Sequence, residues 1–415
     1  MNLMKLSSFP LSLFAFVFFQ AGYAQQRPEK IRINPDAAMG GTVSHYIDKV
    51  QFITFESNAQ SAFGNIDQLE ITDKYYIILD QETAAILIFD KQGQFHAKIE
   101  GRAMNPQNPV VYEFNFDKKT KLIKIQDQNN VFFYDLDGKL IMHTKRSSSQ
   151  YLGVEGSLGD AVSAYYYAGA RPDRKAGSLA YELMVTEGGK LVKGYLPYSM
   201  PDIKSYVYDS WGAQSHADFY SDYIGIDSVL YYSREFDYNI YRLTPHTMHS
   251  AYEFILPVQM SLPDSFKTDS TFYNKKIKYI KAHPSTIFKI LNFYRAGDWL
   301  FFKTLAYGVR SPTYIYNTKS QALVCVNKII SDASSYYLPI TDAEIGGLDF
   351  VNHSFIQVDG DNFYSSYSSL ALFYQMQATK NKHPDYPPSL VNYFSDKRNA
   401  KGNPVLIQIK FKPNF

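Results

Sequence analysis

One phrase is written twice near the start of this chain, and it restricts the fold more than any other feature. The stretch DKYYIILDQETAAILIFDKQGQF (73–95) is answered by TKLIKIQDQNNVFFYDLDGKL (120–140). Each copy reads apolar strand, Asp, short polar turn, apolar strand, Asp and a Gly-containing turn. Asp80, Asp90 and Gly93 correspond to Asp127, Asp135 and Gly138, at offsets of 47, 45 and 45 residues. A repeat of about 40–50 residues built only of strands is the spacing of a propeller blade.

The phrase decays but continues. Residues 152–192 form a third unit, whose Glu187-Gly188-Gly189-Lys190 turn repeats the hairpin chemistry of Asp137-Gly138-Lys139. Residues 222–244, 287–326 and 354–369 supply a fourth, fifth and sixth. Two strand-like segments are left over, YIDKVQFITFE (46–56) and NPVLIQIKFKP (403–413). A ring must join its first and last blades, and closure removes the free sheet edges that invite aggregation. The sequence therefore predicts an all-β chain, a six-bladed β-propeller closed by pairing of its N- and C-terminal strands. Residues 264–282 carry the best amphipathic helical pattern and are expected to form a small helical insertion. A β-sandwich is the alternative, and it accounts poorly for the repeat period.

The ends and composition bound the rest. Lys5, the apolar run LSLFAFVFF (11–19) and small residues through Ala24 have the order of a secretory signal peptide. Cleavage is expected after Ala24, leaving 25–415 as a single domain, periplasmic or secreted. No Cys follows the cut to accept a lipid, and no later run is long enough to span a bilayer. Cys325 is the one cysteine, so an intrachain disulfide is excluded; in ALVCV it reads as a core residue. A net charge of +2 gives no field that would draw the chain to nucleic acid. Thirty-five Tyr and 30 Phe suit packed strands.

The strand-Asp-turn-strand-FD-x-x-G phrase of Asp73 to Gly93, its second copy, and Asn403-Pro404-Val405-Leu406 opening the last strand resemble the secreted bacterial six-bladed β-propellers with NHL-like blades. The resemblance implies that fold and an extracytoplasmic address, for a family whose biochemical role is largely uncharacterised. Its G-x-G-P-x-E loop is represented here by Gly101-Arg102-Ala103-Met104-Asn105-Pro106, which lacks the Glu.

In a propeller, loops between blades and between middle strands share one face around the channel mouth. Arg102, Arg146, Arg171, Arg174, Arg234 and Arg310 fall in or beside those loops, six of the chain's 11 arginines. Arginine suits carboxylate, sulfate or phosphate through paired hydrogen bonds; equally, it can stack on tyrosines or pair with acids to order loops. The segment 197–221 adds Tyr208, Trp211 and His216, either a stacking platform for sugar or peptide or a plug over the channel. The expected ligand-binding set is Arg171, Arg234, Arg310, Tyr208, Trp211 and His216, taking a glycan, peptide or other small, anionic ligand.

No G-x-S-x-G, P-loop or H-E-x-x-H pattern occurs, and no catalytic or metal residue is assigned. His246 and His249 stand three apart in what reads as a turn, with no acidic partner fixed by spacing. Asp359-Gly360-Asp361-Asn362 and Asp135-Leu136-Asp137-Gly138 invite calcium but lack a complete loop pattern, and turn chemistry explains them. A binding protein is the leading reading; a hydrolase or lyase at the same mouth is the alternative, and a scaffold for a protein partner a third.

Overall fold

The computed structural model describes residues 27–107, 109–127, 129–145, 155–159, 162–166, 179–188, 190–199, 217–221, 228–267, 269–272, 275–308 and 311–413. Three strands lead: β1 (Glu29–Arg32), β2 (Met39–Thr42) and β3 (Ile47–Ile53), with the single turn α1 (Val43–Tyr46) before β3. Antiparallel meanders follow. Sheet 1 holds β4 (Gln68–Ile71), β5 (Tyr75–Asp80), β6 (Ala85–Asp90) and β7 (Phe95–Glu100), and the turn α2 (Gly101–Met104) leads on. Sheet 2 holds β8 (Phe114–Asp117), β9 (Leu122–Gln126), β10 (Asn130–Tyr134) and β11 (Leu140–Lys145). Sheet 3 holds β12 (Glu155–Ser157), β13 (Val162–Tyr166), β14 (Leu179–Glu187) and β15 (Lys190–Ser199).

Sheet 4 holds β16 (Ala217–Ser221), β17 (Leu230–Arg234), β18 (Asn239–Leu243) and β19 (Met248–Ile255). After α3 (Lys276–Ala282), sheet 5 holds β20 (Ile287–Ala296), β21 (Trp299–Ala306), β22 (Thr313–Asn317) and β23 (Leu323–Ile330). After α4 (Asp349–His353), sheet 6 holds β24 (Gln357–Asp359), β25 (Asn362–Tyr367) and β26 (Val405–Phe411), with α5 (Ser369–Ala378) and α6 (Pro388–Ser395) between its last two strands. The fold is all-β with few helices, and propeller-like.

The apolar runs of the repeat have a physical reason. In β5 and β6 both faces are covered, so the residues ahead of the closing Asp80 and Asp90 are apolar instead of alternating. Ile78, Leu87 and Phe89 pack with Phe55, Tyr364 and Leu406 toward sheet 6. Ile77, Leu79, Ile86 and Ile88 pack with Ile123, Ile125, Phe132 and Tyr134 toward sheet 2. Further cores join sheets 3 and 4, 4 and 5, and 5 and 6. Each fully buried Leu, Ile or Phe in these seams contributes about 1.5–3 kcal/mol.

The repeated aspartates are turn formers. Asp90 Oδ1 accepts from the amides of Gln92 and Gln94, both at 2.9 Å; Asp135 Oδ1 accepts from Asp137 and Lys139 at 3.1 and 2.8 Å. The repeated glycines have φ of 80° and 76° and press each turn onto the preceding sheet. A Cβ on Gly93 would strike the Thr54 carbonyl, and one on Gly138 would lie 3.1 Å from the Lys98 carbonyl. Glu56 reinforces the first contact, its amide donating to Gly93 O (2.8 Å) and its carboxylate accepting from Phe95 N (2.9 Å).

The N-terminal segment does more than the sequence indicated. β3 pairs antiparallel with β26, as expected. Before it, β1 adds parallel to β19 and β2 parallel to β23, so one segment covers the outer edges of sheets 4, 5 and 6 in turn. The helical insertion is present, with Phe266 and Ile280 packed on Phe236 and Phe288. The expectation of a single insertion is corrected by α5 and α6. Both start where local chemistry allows: Ser368 accepts the Ala371 amide at 3.2 Å, and Pro387-Pro388 opens α6. Among the described residues no helix is long and apolar enough to cross a membrane.

Candidate functional site

Two groups of polar side chains stand out in sheet 4. Because β17 and β18 run antiparallel, Arg234 at the end of β17 and Arg242 near the end of β18 lie at opposite ends of the sheet.

At the first end Arg234 is 5% exposed. Its Nη1 donates to Glu182 Oε2 on β14 at 2.7 Å and its Nε to Asp237 Oδ2 at 2.9 Å. Tyr232 donates to Glu182 Oε1 (2.8 Å) and Tyr241 to Asp237 Oδ2 (3.0 Å); Lys267, from the helical insertion, lies 3.1 Å from Asp237. Burial alone would raise the Asp237 carboxyl, but Arg234, Lys267 and the Asn239 hydrogen bonds hold it well below the usual carboxylate range. The cluster ties sheet 3, sheet 4 and the insertion together. This is the loop-ordering role open to Arg234 in the sequence, and the guanidinium has two buried carboxylates as partners.

At the other end, between sheets 4 and 5, lies a cleft of about 310 Å³. Tyr231 opposes Arg242, which opposes His249; Ile240 opposes Tyr252, which opposes Glu29. Directly opposed residues share a face, so Tyr231, Arg242, His249, Tyr252 and Glu29 all look toward sheet 5. Below them that face is sealed by Ile31, Ile240 and Phe254 against Ile290, Phe293 and Phe302. Arg295, two residues beyond Phe293 on β20, faces them across the opening, and Arg27 enters just ahead of β1.

The cleft lining therefore brings together three guanidiniums, one carboxylate, an imidazole and two largely buried tyrosines. Burial and then Arg242 push the His249 pKa down, which favours its neutral form. Burial works against the charge of Arg295, but Tyr252, a hydrogen bond to Tyr231 and the Glu29 carboxylate outweigh it and raise its pKa. An excess of guanidinium over carboxylate in a concave site has the chemistry suited to an anion.

A third feature is structural. Lys303, on β21 and 3% exposed, donates to Asn352 O at 2.7 Å; Asn292 donates to His353 O at 2.6 Å. Both satisfy carbonyls at the end of α4, where Ser354 has φ 62° and its Oγ lies 2.8 Å from Thr313 Oγ1. Burial lowers the Lys303 pKa to about 8.

Of the residues expected to bind ligand, Arg171, Arg310, Tyr208, Trp211 and His216 lie outside the described residues, as do Arg146 and Arg174. Arg102 is exposed on α2. Arg27, Arg242 and Arg295, which are not among the six loop arginines, are the ones gathered at the cleft, and His249 is in strand β19 instead of the turn expected from its spacing. The signal that could have found Arg242 and His249 is their place either side of the Pro245 turn, which makes them a cross-strand pair. Cys325 is buried in β23, and burial raises its thiol pKa. Among the described residues no group of three or more His, Cys, Asp or Glu is arranged to hold a metal.

A family model described as "Domain of unknown function (DUF4934)" matches residues 30–410. No curated protein matches. A solved structure of a Bacteroides fragilis protein described as a "putative exported protein" shares 14% identity at a TM-score of 0.65, covering 92% of this chain and 99% of its own. At that identity the likeness concerns the fold. A DUF4221 family member from Bacteroides vulgatus matches at 11% identity and a TM-score of 0.45, over 88% of this chain and 98% of its own. The WD40 domain of Neurospora crassa Pan2 matches at 11% and 0.33, over 67% and 72%.

Proposed function

The chain belongs to the DUF4934 family, a family of unknown function, and from that premise we propose that it is an exported six-bladed propeller that binds a small anionic ligand. The six sheets form a closed ring of NHL-like blades in this reading, with the β3–β26 pairing as the closure. Side-by-side cores between five neighbouring pairs, including sheets 6 and 1, support it. Export is supported by the order of residues 1–24, with a cut after Ala24, and by the described nature of the Bacteroides fragilis relative in fold.

One observation carries the binding function: Arg27, Arg242 and Arg295 converge with a single opposing carboxylate, Glu29, on a cleft between two sheets. Its chemistry is suited to holding an anion, and the arginine excess favours binding over hydrolysis by paired carboxylates. The ligand approaches the end of the sheets opposite Arg234, so the site lies away from the mouth loops.

Thermal unfolding of the chain from Gln25 onward, with acidic and with neutral oligosaccharides, tests this. A ligand at a hundred times its dissociation constant adds about 2.7 kcal/mol to the folded state. Stabilisation by acidic ligands alone, lost in Arg242→Gln, is the expected result. Equal response to neutral sugars, or a response untouched by Arg242→Gln, refutes the cleft as the site.

A further inference from the structure

The cleft supports a narrower statement about what it holds, and this statement rests on the binding reading above. Arg27, Arg242 and Arg295 reach it from three separate places: the lead-in to β1, the end of β18, and the end of β20 in the next sheet. A planar carboxylate has two oxygens, and one guanidinium in bidentate contact satisfies them. Three guanidiniums arriving from three directions match an anion with three outward oxygens, which is a tetrahedral oxyanion ester.

The remaining lining fits a hydroxylated carrier of that group. The Glu29 carboxylate is exposed on the same face and accepts hydrogen bonds only. Ser250, also at the cleft, can donate or accept. The tyrosines Tyr231 and Tyr252 are 2% and 4% exposed, so they form the floor and orient Arg295 instead of offering ring faces for stacking. A ligand held here is gripped by its anion and its hydroxyls and not by an apolar face.

We propose that the cleft between sheets 4 and 5 binds a phosphate or sulfate ester of a small polyhydroxylated molecule, with Arg27, Arg242 and Arg295 on the ester oxygens and Glu29 on a ligand hydroxyl. The N-terminal strand is then part of the site. β1 is joined to β19 by four residue pairs, and it brings both Arg27 and Glu29. The bound ester bridges β1, sheet 4 and sheet 5.

Isothermal titration of the chain from Gln25 onward with glucose 6-phosphate, N-acetylglucosamine 6-sulfate, glucuronate and glucose tests this. Both esters are expected to bind, the uronate at least tenfold more weakly, and glucose not at all. Arg242→Gln and Arg295→Gln are each expected to weaken ester binding about tenfold or more, the loss of a charge-assisted hydrogen bond. Arg27→Gln, at an exposed residue ahead of the first strand, gives the same loss with the least risk to folding, and Arg32→Gln is the silent control. The phosphate and sulfate arms tell the two esters apart. Uronate binding as tightly as the esters, with the same sensitivity to the three substitutions, overturns the ester assignment and leaves the anion site standing. Binding of no anion, or ester binding indifferent to all three, overturns both.

Discussion

Replacing Arg234 by Met should destabilise this protein strongly. The guanidinium, Glu182 and Asp237 are 5%, 0% and 3% exposed, so water cannot take over when one partner is removed. Asp237 keeps Lys267 at 3.1 Å, Asn239 and Tyr241. Glu182 loses the 2.7 Å contact to Arg234 and retains Tyr232 at 2.8 Å. The cost is that of removing one member of a buried ion cluster, about 3–5 kcal/mol. At about 2 °C per kcal/mol for a chain of this size, the midpoint falls by about 6–10 °C. Adding Glu182→Gln removes the buried charge, and the double variant should be more stable than Arg234→Met alone at pH 8. Melting followed by circular dichroism, with the fluorescence of Trp299, itself buried in sheet 5, as a second probe, reads all three proteins. A loss below 2 °C for Arg234→Met, or a double variant no more stable than Arg234→Met, would sink the account and return Arg234 to the pool of ligand-binding candidates.

Further outcomes follow from individual contacts. Gly93→Ala should cost about 2–4 kcal/mol, because φ is 80° and the new methyl meets the Thr54 carbonyl, whereas Gly360→Ala, at φ 57° with open space around it, should cost about 1 kcal/mol in urea unfolding. Glu70, whose pKa is pushed up to about 7 first by burial and then by Asp359, with Lys118 opposing, favours its protonated form in the fold. That contribution is complete below the unfolded value near 4.5 and is lost as pH rises through about 7, so Glu70→Gln should gain about 1–2 kcal/mol at pH 8 and nothing at pH 4. Lys303 has the opposite sign: burial lowers its pKa to about 8, so the parent should gain stability relative to Lys303→Met between pH 8 and 10; a parent that loses stability relative to the variant over that range would refute the account.

Much of the architecture was legible because it is periodic. A strand covered on both faces must be apolar throughout, a tight turn pressed onto a neighbouring sheet requires a glycine at positive φ, and an aspartate suits the exposed amides of that turn. Those needs are met alike in sheets 1 and 2, which is why Asp90 and Gly93 reappear as Asp135 and Gly138 and could be recognised without a structure. Helix α5 was missed because SLALFYQMQA carries its apolar residues without a helical stripe, and α6 because its stripe, with Leu390 and Tyr393 buried, spans only eight residues; only the Ser368 cap and Pro387-Pro388 mark the starts.

The cleft was not legible at all, and the reason is geometric. Arg27, Arg242 and Arg295 lie far apart in the chain and share no motif; they meet because β1 joins β19 in parallel and because β20 packs against the face carrying Arg242 and His249. Neither pairing leaves a local trace, since a parallel fifth strand needs no turn and an inter-sheet contact needs only apolar bulk below it. Local sequence thus determined the repeated unit and its turns. Which arginines are locked between buried acids and which are gathered around an open cleft was decided by tertiary packing, because a side chain's charge is set by its type but its partners are set by the neighbours that the fold brings to it.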